Sequence, residues 1–342
     1  MPRHSPMLRP VQPVDVRLES RVSDLLRQMS KTAFQGKNLS LAVQIWVEML
    51  KQNVTILLGL AGALIPAGMR CLLVYLIEKR MIDCLVSTGA NLFHDIHETL
   101  GKNHWQGFCP VDDIALKKKG IDRIYDVFAW EKEFSQVDRY ILDFARSLKA
   151  PAPLTTREFF YHLGKQLLRD GQREGIITSA VKAGVPIYCP ALGDSSLGIA
   201  LAQNKKGALL LFDLVADVQE TAYIVAQSKA TGVIFLGGGT PKNFIQQTEV
   251  TANMMGLKVR GHRYAVQVTT DAPHWGGLSG CTFEESQSWG KISENAQKVT
   301  LYCDSTLALP LMVTAVAQES AGFLSRRKRP EMGKLWSLAK KK

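Results

Sequence analysis

The sequence predicts an α/β protein: one Rossmann-like, doubly wound, mostly parallel sheet with helices on both faces and a helical extension at its amino end. Three observations carry that expectation. Short apolar runs of strand type recur along the 342 residues, segments of helical period separate most of them, and five of the runs end in glycine, a hydroxyl residue or aspartate. Strands that alternate with helices pair in parallel, and such sheets bind their ligands beyond the carboxyl ends of the strands.

Taken in order, residues 1–14 are rich in proline and read as an extended arm. Residues 16–51 read as two helices broken near FQGKN (34–38), with Asn38 or Ser40 as the cap of the second. Strands are expected at VTILLGL (54–60), DCLVST (83–88), DRIYDVFA (122–129), VPIYCPA (185–191), ALLLFDLV (208–215), TGVIFLGG (231–238), YAVQVTT (264–270) and VTLYCDS (299–305). Helical period marks 66–80, 135–148, 157–168, 173–183, 216–229 and 240–255. Without an internal repeat or a low-complexity linker, residues 15–322 are expected to form one domain, followed by a basic tail over 323–342.

The charge of +11 is concentrated in that tail, which carries eight cations against Glu331 alone. The body is therefore only mildly basic, and its charge does not call for nucleic acid. Six cysteines without a CxxC pair fit reduced thiols of a cytoplasmic protein better than disulfides or zinc. The longest uncharged stretch, Val54–Met69, is shorter than the roughly 20 residues a membrane span needs and holds Gly59, Gly62 and Pro66.

The residues just past the strands suggest the chemistry. Gly237-Gly238-Gly239 opens a helix and would let backbone N–H groups meet a diphosphate, although the spacing is not that of the dinucleotide fingerprint. Asp194 and Asp304, each just past a strand, could accept from ribose hydroxyls or cap helices. His94 and His97 have the i, i+3 spacing of a ligand pair, but the sequence offers no third ligand, so no metal is expected. Lys291 stands apart from the other lysines: Trp289, Gly290 and Ile292 surround it, and an ammonium gains nothing from apolar neighbours. A lysine that gives up its proton is a nucleophile, which makes Lys291, with Trp289 and Glu285, the reactive group to expect.

SWGKI (288–292), GGG.PK (237–242), P.Y.PAL.D.SLG (186–198) and Y.D (302–304), with TAFQGKNLSLAVQ (32–44) and MIDCLVST (81–88) upstream, resemble the deoxyhypusine synthase family over roughly residues 30–320. The resemblance implies NAD as cofactor. It implies oxidation of spermidine at its secondary amine, transfer of the aminobutyl group to an enzyme lysine as an imine, delivery to an acceptor amine, and a final reduction. Lys291 matches the family lysine, and cofactor contacts are implied at Thr88, Gly89, Asp194, Gly238, Thr270, Asp271, Ser279, Asp304 and Ser305. Glu285 and Trp289 match the substrate side, while Gly62-Ala63 replaces a Ser-Asn of the family. Phe93-His94 stands where the family has two glutamates, Ile199 and Leu278 replace aspartates, and Asn243 replaces a histidine. A homotetramer with its sites at subunit interfaces is implied as well.

These readings predict an NAD-dependent aminoalkyl transferase working through a lysine imine on a small polyamine acceptor, as in homospermidine synthesis. The alternatives are deoxyhypusine transfer to a lysine of a translation factor, or a non-catalytic NAD-binding protein. His94 and Asn243 join Glu285 and Trp289 as expected substrate contacts.

Overall fold

The computed structural model describes residues 10–205, 210–328 and 330–337. The amino extension is two helices, α1 (Val22–Met29) and α2 (Phe34–Lys51). Their break falls at 30–33 rather than in FQGKN, which lies inside α2, and Ala33 rather than Asn38 or Ser40 is its cap position. The reason is local. The hydroxyls of Ser30 and Thr32 donate to the carbonyls of Arg27 and Met29 at 2.7 Å each, taking acceptors that a continuing helix would need.

The chain then alternates as expected through β1 (Thr55–Leu60), an irregular turn at Ile65–Met69, α3 (Arg70–Glu78), β2 (Cys84–Ser87) and α4 (Gly89–Thr99). A small excursion comes next: β3 (Trp105–Gln106), α5 (Asp113–Lys118), β4 (Ile121–Ile124) and β5 (Val127–Trp130). DRIYDVFA is thus a hairpin and not one parallel strand. Tyr125 at φ 56° reverses the chain, and β3, β5 and β4 make a separate antiparallel sheet. Helices α6 (Glu131–Ser147), α7 (Thr156–Asp170) and α8 (Ile176–Ala183) lead to the short β6 (Ile187–Tyr188) and to α9 (Ser196–Ala202).

ALLLFDLV is not a strand where it is described; its residues 208–209 lie outside the described residues. Phe212 makes one bridge to Leu154, and the Asp213 carboxylate accepts from Ala216 N at 2.8 Å, so Leu214 already starts a helix. That helix is α10 (Leu214–Gln227), followed by β7 (Thr231–Leu236), α11 (Gly239–Met254), β8 (His262–Thr269), α12 (Phe283–Ser288), β9 (Ile292–Tyr302), α13 (Ser305–Ser320) and α14 (Met332–Ser337).

Six strands form the main sheet in the order β6-β2-β1-β7-β8-β9, every neighbouring pair parallel. Alternate residues feed opposite faces. Ile56, Leu58, Leu60, Ile234, Leu236, Val266 and Val268 join one buried cluster with α2, α3 and α13. Leu57, Val86, Val233, Phe235 and Ala265 join another with Ile224 of α10, Ile245 of α11 and Phe283 of α12. With both faces covered, the strands read as continuous apolar runs. In α13 the buried set Ala308, Leu309, Met312, Val313, Ala315 and Val316 accounts for most of the helix's apolar surface, while Leu307 stays exposed.

The amino edge of the sheet is sealed by ions. Asp83, at the start of β2, and Arg327 are both fully buried and pair twice, at 2.6 and 3.0 Å. Arg327 also donates to the carbonyl of Val54 at 2.7 Å, and Asp83 accepts from Ile56 N at 2.8 Å. A residue counted in the sequence among the tail's cations is therefore an internal brace.

Candidate active site

Because all six strands run in parallel, the loops after them share one edge. Strand order reverses between β1 and β7: from β1 the chain winds outward through β2 to β6, and from β7 it winds the other way to β9. Loops that diverge from neighbouring strands leave a crevice at such a point. The loop after β1 and the glycine turn after β7 flank it, and an added Cβ at Gly237 would meet the Ala61 methyl at 3.0 Å.

Each predicted cofactor residue sits on this edge. Thr88 caps α4 and donates to the Gly62 carbonyl at 2.7 Å, which ties the loop after β2 to the loop after β1. Asn91, which the sequence reading did not single out, strengthens the tie. Its amide accepts from Leu64 N at 2.8 Å and donates to Gly62 O at 3.0 Å, so the replaced Gly62-Ala63 pair is held through its backbone. Gly89 must be glycine, since a Cβ there would fall 2.2 Å from the Ser195 hydroxyl in the loop after β6. Asp194 precedes Ser195 and is exposed; the cap position of α9 is Ser195, so Asp194 does not open the helix.

Gly238 faces the segment after β8 at the same close range: a Cβ would lie 2.4 Å from Ser279 Cα. The Ser279 hydroxyl accepts from Gly239 N at 3.1 Å. Thr270 is exposed, and Asp271 turns back to accept from Ala272 N at 3.0 Å. Asp304 is the cap of α13, accepting from Thr306 N at 2.7 Å and from its hydroxyl, with Ser305 beginning the helix. The helix bonds hold the Asp304 carboxyl below its ordinary range. Asp304 also lines a cleft of about 740 Å³ with Ala63, His104, Tyr125 and Thr306. A wall of backbone groups where no side chain fits, bordered by exposed carboxylates, suits a dinucleotide: amides for the diphosphate, carboxylates for ribose.

Lys291 follows α12 and precedes β9, so its backbone pairs with the first residue of β8, at the amino ends of these strands, while its charge acts on the buried Lys242 beside the glycine turn. It is 8% exposed, its N–H donates to Ser286 O at 3.1 Å, and its carbonyl accepts from His262 N at 3.0 Å. Its ammonium nitrogen sits 5.2 Å from the centre of the Trp289 ring, within cation–π range. Trp289 is a wall on one side only, for 65% of it is exposed. Glu285 is exposed and its N–H closes the Thr282 cap at 3.1 Å. Asn243 is half-buried on the second turn of α11. A second lysine in this cluster, Lys242, escaped the sequence reading although it is the last letter of GGG.PK. It is 1% exposed, and burial pulls its pKa down to about 8.

His94 is placed elsewhere. Its ring is buried against Phe93 and Phe134 and bonds His104 at 2.9 Å; His104 in turn bonds Glu98 at 2.8 Å. Burial and the neighbouring His104 drive its pKa down to about 3, leaving a neutral imidazole. His104 is a third ring beside the His94/His97 pair that spacing alone could not supply, yet among the described residues no group of His, Cys, Asp or Glu has the geometry to hold a metal. Ile199 and Leu278 point outward, 60% and 49% exposed. Among the described residues no helix is long and apolar enough to cross a membrane.

Comparison with known proteins identifies the family. The family model for deoxyhypusine synthase matches residues 24–316. The "Probable deoxyhypusine synthase 2" of Methanosarcina mazei is 51% identical over 316 residues, spanning 92% of this chain and 91% of that protein. A "Deoxyhypusine synthase-like protein" of Chlorobaculum parvum is 36% identical over 85% of each chain. Among solved structures, a deoxyhypusine synthase homologue from Entamoeba histolytica superposes with a TM-score of 0.59 at 18% identity, over 92% of this chain and 96% of that one. By family model, identity and coverage together, the chain belongs to the deoxyhypusine synthase family, whose members are NAD-dependent aminobutyl transferases.

Proposed function

We propose that this chain transfers an aminoalkyl group from an amine donor to an acceptor amine through an imine on Lys291. The observation that carries the reading is a buried lysine stacked on Trp289, with Glu285 one helical turn before Trp289, and both Lys291 and Glu285 near enough to act on the charge of Lys242 beside the glycine turn. Gly238, Ser279, Thr88, Gly89, Asp194, Thr270, Asp271, Asp304 and Ser305 would hold NAD. When bound, NAD supplies a hydride acceptor for the carbon beside the donor nitrogen and returns that hydride at the end. The Lys291 amine then attacks the oxidised carbon and its C–N bond replaces that of the departing amine. The acceptor amine attacks the Lys291 imine in turn, and lysine leaves as a free amine. Glu285 takes and returns the protons, and Trp289 keeps water from one side of the imine.

A small amine with less charge to desolvate than spermidine, as in a homospermidine-type reaction on a small polyamine, is favoured over the family's spermidine site by Phe93-His94, Ile199 and Leu278. None of these supplies a carboxylate, and a polycation that loses hydration needs carboxylates to offset the cost. The 51% identity to proteins named probable deoxyhypusine synthase favours a second reading, transfer to a protein lysine. Incubation with NAD and a panel of di- and polyamines, with products weighed by mass spectrometry, decides between them. Products from free amines alone support the first reading; reaction only when a translation-factor acceptor is added supports the second. Borohydride added during turnover is expected to leave an alkyl mass on the Lys291 peptide, and its absence there would refute the imine. A homotetramer with shared sites belongs to the same reading; a stable 37.9 kDa monomer in solution scattering would refute it.

A further inference from the structure

One buried cation stands outside the chemistry assigned so far. Lys242 lies near the amino end of α11, where the helix dipole disfavours positive charge, and only 1% of it is exposed. An ammonium has three donors. Three acceptors meet it: Gln267 Oε1 at 2.9 Å, the carbonyl of Ser279 at 3.4 Å, and the carbonyl of Cys281. Gln267, itself buried, completes the clamp by donating to the carbonyls of Gly237 at 2.9 Å and Ser279 at 2.8 Å. Two side chains thereby tie the glycine turn after β7 to the segment 279–281.

The same face of α11 repeats the device. Gln246 donates to the Ser286 hydroxyl at 2.9 Å, and Glu249 accepts from Gly261 N at 3.1 Å. Positions 242, 246 and 249 form one stripe on a helix, and all three are buried. The stripe holds the cofactor loop, then the helix that carries Glu285, then the start of β8, whose His262 N–H meets the Lys291 carbonyl. An apolar stripe would pack there without the cost of burying a charge.

We propose that Lys242 is a positioning residue: its ammonium clamps segment 279–281 onto the glycine turn, shaping the NAD loop and setting its register with Glu285 and Lys291. The proposal rests on the cofactor reading of Gly238 and Ser279. Lys242 acts through Ser279, whose hydroxyl takes the Gly239 N–H.

The amine itself makes the clamp testable. The groups that face it are Cys281, Glu285 and Asp271, which favour its charged form, and Lys291, which disfavours it, with the Phe283 ring 5.8 Å away. Loss of a proton leaves two donors for three acceptors, so the clamp loosens as pH rises through about 8. Stability moves the other way. Between about 8 and the ordinary 10.5 the unfolded chain holds more protons than the folded one, so this group's contribution to stability rises with pH. A lysine that only supports the fold cannot weaken NAD binding while stability gains.

The test is titration calorimetry of NAD on the full chain from pH 6.5 to 9.5, with thermal melting alongside. Wild-type affinity is expected to fall roughly tenfold across pH 8, about one hydrogen bond to a charged group. Lys242→Met should bind roughly tenfold more weakly at pH 7 with a flat profile, and Cys281→Ser should keep the wild-type profile. Lys242→Met with wild-type affinity and profile overturns the clamp and leaves the cofactor site standing. A wild type that binds no NAD at any pH overturns the cofactor reading itself. Should Lys242→Met not fold, Lys242→Gln is measured in its place, and wild-type NAD affinity and profile in that variant overturn the clamp.

Discussion

At the amino edge of the sheet, Arg327 and Asp83 are fully buried, and the Val54 carbonyl and Ile56 N–H beside them are bonded to that pair. At the carboxyl edge, Asp194, Thr270 and Asp304 are exposed, and the close contacts are made by glycines. One sheet thus ends in a sealed ion pair on one side and an open crevice on the other. The difference separates two tasks that one set of strands must serve. At the amino edge the Asp83 carboxylate and the terminal nitrogens of Arg327 find their partners within the chain, whereas polar groups at the carboxyl edge leave room for a ligand to satisfy them.

Changes at the two edges should therefore part stability from activity. Lys291→Arg, in the proposed reactive cluster, is expected to lower group transfer by about 10³-fold or more, because guanidinium stays protonated and forms no imine. Its melting temperature and NAD affinity should stay at wild-type values. Full transfer in the variant would refute Lys291 as nucleophile. Arg327→Met, at the sealed edge, removes the cation that offsets the buried Asp83 carboxylate and should cost about 3–5 kcal/mol of stability. NAD affinity, measured where the variant is folded, should not move; a selective loss of affinity would mean that the edges are coupled. NAD at 100 times its dissociation constant should add about 2.7 kcal/mol to the wild type, read as a raised melting temperature. No shift at millimolar NAD would count against the crevice as its site. Asp304→Ala should cost about 1 kcal/mol through its lost cap, and weaken NAD as well. An unchanged affinity would assign Asp304 to the helix alone.

Legibility in the sequence divides along the same line. The strands were legible because two-faced burial makes them continuous apolar runs, and the crevice was legible because five of the runs lead into glycine, a hydroxyl residue or aspartate. The burial of Lys291 was legible because its immediate neighbours include Trp289 and Ile292. The hairpin at Tyr125 and the short reach of β6 were not, since an apolar run does not state its partner strand. Asn91, Lys242, Gln267 and Arg327 were missed for a different reason. Each is a polar residue whose meaning lies in a partner 25 or more residues away, and for Arg327 and Val54 the separation is 273. Asp194 and Asp304 show the limit from the other side: identical in type and each read as lying just past a strand, one caps a helix and the other does not.

The sealed edge also sets an order of events. Central strands β1 and β7 pair Thr55 with Thr231, so the middle of the sheet cannot form on the ribosome until well over half the chain has emerged. Strands β1, β2 and β6 must wait meanwhile with one edge unpaired, a surface that invites association with other chains. Arg327 arrives later still, and until it does Asp83 has a carboxylate that resists burial. The ion pair therefore ties together residues 244 positions apart, and the amino edge in its finished form needs both ends of the described chain at once.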